Sequence, residues 1–300
     1  MKKFTIIYKK RPSRLNALIP AALILLLAFS GCVDNPTELE DYDPEPILTA
    51  FLFNGEPFGE IYLERVAPLY GYYQPEDHGI EGADIIIFKS DPPRDTVEFA
   101  YSGNGGIYLP ILTGTILDTV QGKTNYRIEA TTLQEEFLWA ETVVPDTFTL
   151  DISPYTLVND TIPIPLNWSA PEINLDWTGA DSAGGYIFNS TCLTPIDSLQ
   201  WLDPDYDDDE IDEEPYRLWQ DIYIESARSS VIPWFFYEFV GWHKIEFQAA
   251  SMDYVEYLSS IIYAPPEGFN QQYNVQGGLG IFSGFSSHSF YLYMQRFEYP

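Results

Sequence analysis

Between Ile47 and Pro145 apolar and polar positions alternate in short runs separated by turn residues. "ILTAFLF" stops at Asn54-Gly55. "EIYLERV" sets Ile61, Leu63 and Arg65 against Tyr62, Glu64 and Val66. "GADIIIFKS" is a β-branched run that ends at Asp91-Pro92-Pro93, and "TVEFAY" ends at "SGNGG". "NYRIEATT" places Tyr126, Ile128 and Ala130 on one side, and "FLWAETVVP" closes the set at Pro145. A period of two marks strands with one buried face, and Asn-Gly is a strong hairpin signal. Strands at this spacing predict an antiparallel β-sandwich over residues 47–145.

A second set of strands starts near Phe148 and occupies residues 146–264. "INLDWTGADSAGGYIFNSTCL" puts Leu175 and Trp177 on one strand, then a Gly-rich turn, then Tyr186 and Phe188 on the next. This Trp-then-Tyr core resembles fibronectin type III modules. "WHKIEFQAASMDYVEYLSS" alternates at Ile245, Phe247 and Ala249, and beyond it the chain reads as a helical turn or a continued strand. "VIPWFFYEFVGWHKIEF" is strongly apolar but interrupted by Pro233, Glu238 and Gly241, so it reads as core rather than as a membrane-contacting surface. No long helical periodicity with caps is found. Residues 265–300 hold a glycine cluster, Gly277, Gly278, Gly280 and Gly284, followed by a final alternating strand in "SFYLYMQRF". Glycine there permits positive φ and close approach of backbone. The predicted class is all-β: two immunoglobulin/fibronectin type III-like antiparallel sandwich modules and a Gly-rich C-terminal segment.

The first thirty-one residues change the picture of where this body sits. They carry Lys2, Lys3, Lys9, Lys10, Arg11 and Arg14 with no acid, then an apolar stretch from Leu18 to Phe29 interrupted by Pro20. That is the plan of a secretory signal, too short to span a bilayer comfortably. "FSGC" resembles the bacterial lipobox, with Phe29 in place of the usual Leu, and so marks Cys32 as the lipid attachment point and the new N-terminus. Several acyl chains on one cysteine hold a protein on a membrane without spanning it. Residues 32–46, acidic and proline-punctuated, read as an extended tether.

Removing residues 1–31 takes six of the fifteen Lys+Arg and none of the forty-five Asp+Glu, leaving nine against forty-five and a formal charge of −36. Such a charge excludes nucleic acid as a partner and argues against lying flat on anionic lipid. With Cys32 acylated, Cys192 has no intrachain partner, and the exported body must be held by its core rather than by a disulfide.

The lipobox cysteine, "GKTNYRIEA", "AETVVP", the Trp/Tyr second module and "NVQGGLGIFSG" together resemble an uncharacterised family of Bacteroidota outer-membrane lipoproteins, usually encoded beside TonB-dependent receptors. The resemblance covers nearly the whole chain after Cys32, and "NVQGGLGIF" is its most specific piece. It implies an accessory role with such a receptor, in nutrient capture or complex assembly, and supplies no functional residues. Acids after the lipidated cysteine (Asp34, Glu38, Glu40, Asp41) resemble the surface-export signal of some of these lipoproteins. The expected address is therefore the outer membrane, on the cell surface or else on the periplasmic face.

Two stretches outside the core carry candidate chemistry. "PLYGYYQPEDHG" is a loop bearing Tyr70, Tyr72 and Tyr73, either a contact surface for a partner or sugar or rings folded back over a sandwich end. "DPDYDDDEIDEE" sets Asp203, Asp205, Asp207 and Asp209 at alternate positions with Glu214 at the twelfth, the spacing of a calcium loop. Asp208 stands where such a loop needs Gly, flanking helices are lacking, and a solvated acidic loop is the competing reading. No cofactor other than that Ca²⁺ is expected. For catalysis, His78, His243 and His288 form no H-x-x-x-H pair, and "GIFSG" and "GFSSH" only brush against a nucleophile elbow. The chain reads as a non-enzymatic binding or accessory protein. The alternatives are a carbohydrate-active hydrolase using an Asp/Glu pair and a purely structural or adhesive surface module. A calcium site predicts saturable heat in calorimetry that disappears in Asp205→Asn/Asp207→Asn; no heat at millimolar calcium leaves the loop as solvated acid.

Overall fold

Alternation becomes strand wherever a run can bury one face. The computed structural model describes residues 44–67, 78–91, 95–111, 119–203, 218–232, 234, 237–263 and 271–296, with only the backbone of 218 and 219. The first seven strands are β1 (Pro46–Phe53), β2 (Ile61–Arg65), β3 (Asp84–Lys89), β4 (Thr96–Tyr101), β5 (Ile107–Pro110), β6 (Thr124–Thr131) and β7 (Phe137–Val144). They lie in the order β1-β2-β5-β4-β3-β6-β7, each pairing antiparallel with its neighbours. Leu48, Ala50 and Leu52 of β1, Ile85 and Ile87 of β3, and Tyr126, Ile128 and Ala130 of β6 turn inward to one core, the side the alternation assigns them.

The second set comprises β8 (Leu150–Ser153), β9 (Ile173–Trp177), β10 (Gly185–Cys192), β11 (Leu218–Ile224), β12 (Ser229–Ile232), β13 (Gly241–Ala250) and β14 (Leu279–Met294). Three of them form the sheet β12-β9-β8, and four form the run β11-β10-β13-β14. Between these layers lies a second core. Trp177 packs against Tyr186 (ring centroids 5.4 Å) and Phe247 (4.6 Å), and Tyr186 stacks on Phe247 at 5.9 Å. The Trp/Tyr pair read from the sequence is thus central to a three-plus-four sandwich. Each such ring pair adds about 0.5–1.5 kcal/mol beyond the area it buries. Trp234, Tyr237 and Phe239, from the apolar run after β12, are buried in or beside this core.

The glycine-rich segment is itself the beginning of β14. The first half of β14 pairs parallel with β1, Ile47 opposite Leu279 through Phe53 opposite Phe285. Its second half pairs antiparallel with β13, Ala250 opposite Phe285 through Gly241 opposite Met294. One strand therefore serves both sandwiches, and Pro44–Pro300 is one compact unit with two main cores. Among the described strands this is the one parallel pair, accompanied only by isolated parallel bridges from Thr161 to Tyr291 and from Leu166 to Met294 of the same strand. From Gly280 to Ser286 every residue of β14 is buried, because β7 runs close against it; beyond that the burial alternates. A Cβ on Gly284 would stand 2.7 Å from the Val143 carbonyl oxygen, and one on Gly280, whose φ is +117°, would stand 2.0 Å from that of Leu48. Asn274 ties the same seam, accepting from the Phe282 N–H at 2.9 Å and donating to its carbonyl at 2.8 Å.

After β13 the chain takes the helical of its two readings, as a full helix rather than a single turn. α1 (Met252–Ile262) follows β13 directly. Its N-cap residue Ser251 turns its hydroxyl away from the helix to accept from the Gly284 N–H at 3.3 Å. Asp253, in the first turn, suits the positive end of the helix and accepts from Thr142 of β7 at 3.2 Å. Burial raises its pKa from the ordinary aspartate value. Leu258, Tyr254 and Val255 cover a third, smaller cluster with Ile187, Phe285, Phe51 and Phe53, on the face of the sheet opposite the two main cores. No described helix is long and apolar enough to cross a membrane.

Gly280→Ala is expected to cost about 3 kcal/mol or more, through its positive φ and the clash with Leu48. In urea denaturation the loss should appear in both cores at once. Gly59→Ala, where a Cβ meets nothing within 4 Å, should stay within about 0.5 kcal/mol of the parent.

Candidate functional site

Most of the residues singled out in the sequence lie outside the described residues: Cys32, Tyr70, Tyr72 and Tyr73, and Asp205, Asp207, Asp209 and Glu214. Asp203 is described and partly buried at the end of the segment after β10. Among the described residues no group of three or more His, Cys, Asp or Glu side chains is placed to hold a metal ion.

Two surface concavities stand out among the described residues. The first lies on the outer face of β3, β6 and β7, as adjoining hollows of about 420 and 290 Å³ that share Ser90 and Glu141. Arg127 crosses it. Its guanidinium lies 4.1 Å from the Trp139 ring centroid and donates to Glu129 at 2.7 Å and Glu141 at 3.2 Å. The two carboxylates lining this open face are thus both engaged by one cation, unlike an acid/base pair facing each other across a cleft.

The second concavity is built by the start of β13 and the segment that follows β10. That segment runs back along the chain before β13: the Leu193 N–H donates to the Trp242 carbonyl at 2.8 Å, and the Val240 N–H to the Gln200 carbonyl at 2.9 Å. Leu199, Cys192, Phe239 and Trp201 form a small apolar cluster that holds it down, the Trp201 and Phe239 rings 4.8 Å apart. Gly241, at φ +130°, lets the two backbones close, since a Cβ there would lie 2.0 Å from Thr194 Oγ1. Along β13 the odd positions His243, Ile245, Phe247 and Ala249 point inward, so Trp242 points out. It pairs across the strands with Tyr293 of β14, rings 5.4 Å apart at 71°. The result is a corner of about 240 Å³ with aromatic walls on one side and Thr194, Ser198 and Gln200 on the other. Trp242 remains 47% exposed.

His243, directly behind the corner, is 3% exposed, and its ring meets Tyr237 edge-on at 5.1 Å. Its Nδ1 lies 3.2 Å from the Gly241 carbonyl. A carbonyl only accepts, so Nδ1 carries the proton of the neutral ring. Burial lowers its pKa to about 4. It is a packed residue that fixes the turn into β13, which accords with its place on an alternating strand. His288 is also structural, 2.6 Å from the Phe148 carbonyl through Nε2. Cys192 is buried as a thiol in the cluster under the corner. The corner escaped the sequence reading, although one signal was present: Trp242 is out of phase with Ile245, Phe247 and Ala249.

No family model and no curated protein matches the chain. Among solved structures it is similar to the FN1–FN3 domains of chicken CNTN1, at 10% identity and a TM-score of 0.23, covering 84% of this chain and 66% of that one. Another is Salmonella alpha-2-macroglobulin reacted with methylamine, at 12% identity and a TM-score of 0.21, covering 84% of this chain and 15% of that one. Superpositions this weak define no shared function or ligand. The chain thus spans just under two thirds of the first structure and a small part of the second.

The neutral, buried state of His243 has a pH consequence. The unfolded chain takes up a proton at this residue below its ordinary pKa of 6.5, and the folded chain does so only below about 4. Its contribution to stability is complete above pH 6.5, falls as the pH drops from 6.5 toward 4 by up to about 3 kcal/mol, and levels off below that. Urea denaturation from pH 7.5 to 4.5 should show this component in the parent and not in His243→Gln, once the background common to both is subtracted.

Proposed function

We propose that this chain is a lipid-anchored outer-membrane protein that works as a binding or accessory partner of a TonB-dependent receptor, in nutrient capture or complex assembly. The observation that carries the reading is the order of parts along the chain. "FSGC" at Cys32 is followed by a short acidic stretch, and the first strand of the body begins at Pro46, where that stretch ends. An acylated Cys32 would leave the β body hanging a short distance from the membrane.

The arrangement at the start of the body supports the same reading. Arg65 of β2 donates to the Pro44 carbonyl at 2.9 Å and grips Glu136 through both carboxylate oxygens, at 3.0 and 2.6 Å. This lowers the pKa of Glu136, with the guanidinium as the main cause. The point where the tether enters is therefore fixed to two separate parts of the first sandwich. The outward-facing Trp242–Tyr293 corner is the described feature best suited to contact a ligand.

Isolation of the chain from its native membranes in mild detergent should yield a TonB-dependent receptor with it. Mass spectrometry should find Cys32 acylated and residues 1–31 absent, and Cys32→Ala should move the protein out of the membrane fraction. Repeated recovery of the acylated protein alone would leave the adhesive or structural alternative standing; an unmodified Cys32 would end the anchored reading altogether.

A further inference from the structure

We infer that the corner formed by Trp242 and Tyr293 is a binding site for a neutral saccharide, with one sugar ring stacked on the Trp242 indole. This deepens the proposed binding role and rests on it for biological meaning, although the site itself is argued from geometry.

The corner has the two faces a sugar ring requires. A pyranose is apolar on its C–H faces and carries hydroxyls around its rim. Trp242 and Tyr293, at 71° to one another, supply an apolar floor and wall, and amphipathic rings of this kind combine large contact area with a polar tip. Thr194, Ser198 and Gln200 line the opposite side. The Trp242 indole N–H, the Tyr293 hydroxyl and the Gln200 side-chain amide make no hydrogen bond with any described residue, so all three remain available to ligand hydroxyls.

Charge narrows the class of ligand. None of the residues lining the corner is ionisable except Tyr293. An anionic ligand would have to approach a chain of formal charge −30 without a lining cation to receive it. A cation would find an aromatic face, but no lining carboxylate to pair with it. A neutral polyol meets neither obstacle. At about 240 Å³ the corner is smaller than the ~300–1,000 Å³ typical of drug-sized ligand sites, which fits one ring or two.

The walls are also pre-set. The loop wall is fixed by the Leu193–Trp242 and Val240–Gln200 backbone bonds. Gly241 packs against Thr194, whose hydroxyl donates to the Val240 carbonyl at 3.2 Å. Little ordering remains to oppose binding.

The test is a titration of the full, membrane-extracted chain in a sugar-free detergent, observed by saturation-transfer NMR and tryptophan fluorescence. The probes are cello-, malto-, manno- and xylotetraose, with tetramethylammonium chloride as the cationic control. At least one tetrasaccharide should bind saturably in the millimolar range or tighter. Trp242→Ala should weaken that binding at least tenfold, and Trp168→Ala, exposed but outside the corner, should leave it unchanged. Urea denaturation of both variants shows whether the fold is kept, and Gln200→Ala, a milder change at the rim, should weaken binding if Trp242→Ala does not fold. Saturation by none of the four sugars, binding unaffected by Trp242→Ala in a folded protein, or saturation by tetramethylammonium alone overturns the inference. Such a result with receptor co-purification intact removes the sugar site only. Sugar binding without a receptor removes the partnership and leaves the site.

Discussion

The body depends on one strand having to satisfy two sheets. β14 gives its first seven paired residues to β1 in parallel register and ten to β13 in antiparallel register, meeting at Phe285. Backbone groups left unpaired along its first half would be buried, since Gly280 to Ser286 are enclosed throughout, and an unpaired buried amide costs as much as a lost hydrogen bond or more. The register of one sandwich is therefore linked to that of the other. The glycines make the arrangement sterically possible. At Gly280 and Gly284 the neighbouring carbonyl oxygens of Leu48 and Val143 occupy the space a side chain would need.

The same strand explains why a helix sits where the sequence offered a choice between helical turn and continued strand. Past Ala250 the β13–β14 pairing gains only the bond from the Ser251 N–H to the Gly284 carbonyl at 2.9 Å, since the Asn274 side chain takes the N–H and carbonyl of Phe282 next along the strand. Ser251 closes the ladder by accepting from Gly284 instead of capping the helix. α1 then turns back over Phe51, Phe285 and Ile187, covering the outer face of the sheet where the two halves join. Local preference was weak in "SMDYVEYLSSII", with polar and apolar residues in nearly equal measure, and tertiary demand decided it.

Much of the fold was legible because one buried face per strand forces a period of two. Tyr126, Ile128 and Ala130 of β6, and Trp177 with Tyr186 in the second core, fall where their spacing puts them. β5, β8, β11 and β12 are not visible in the pattern. Ile107–Pro110, Leu150–Ser153 and Ser229–Ile232 have only four residues each, too few for a period to register, and Leu218–Ile224 follows directly on the acidic stretch. The parallel pairing of β1 with β14 joins residues more than two hundred positions apart, a relation no local pattern encodes. The corner beside Trp242 was half legible. Phase alone turns the indole outward, but the wall from Thr194 to Gln200 depends on a loop folding back through backbone bonds and a four-residue cluster.

The orientation of β1 against β14 also determines how the body would resist tension. A pull entering at Pro44 reaches β1 at its N-terminal end. A load applied through the second sandwich reaches β14 toward its C-terminal end, from the ladder with β13. Because the two strands run the same way, such forces act along them in opposite directions. They bear on the whole row of bonds from Ile47 to Phe53 together instead of opening it one rung at a time. A protein tugged between a membrane and something it holds would thus fail by sliding a complete strand, and the clamp of Arg65 on Pro44 and Glu136 sits where that slide would have to begin.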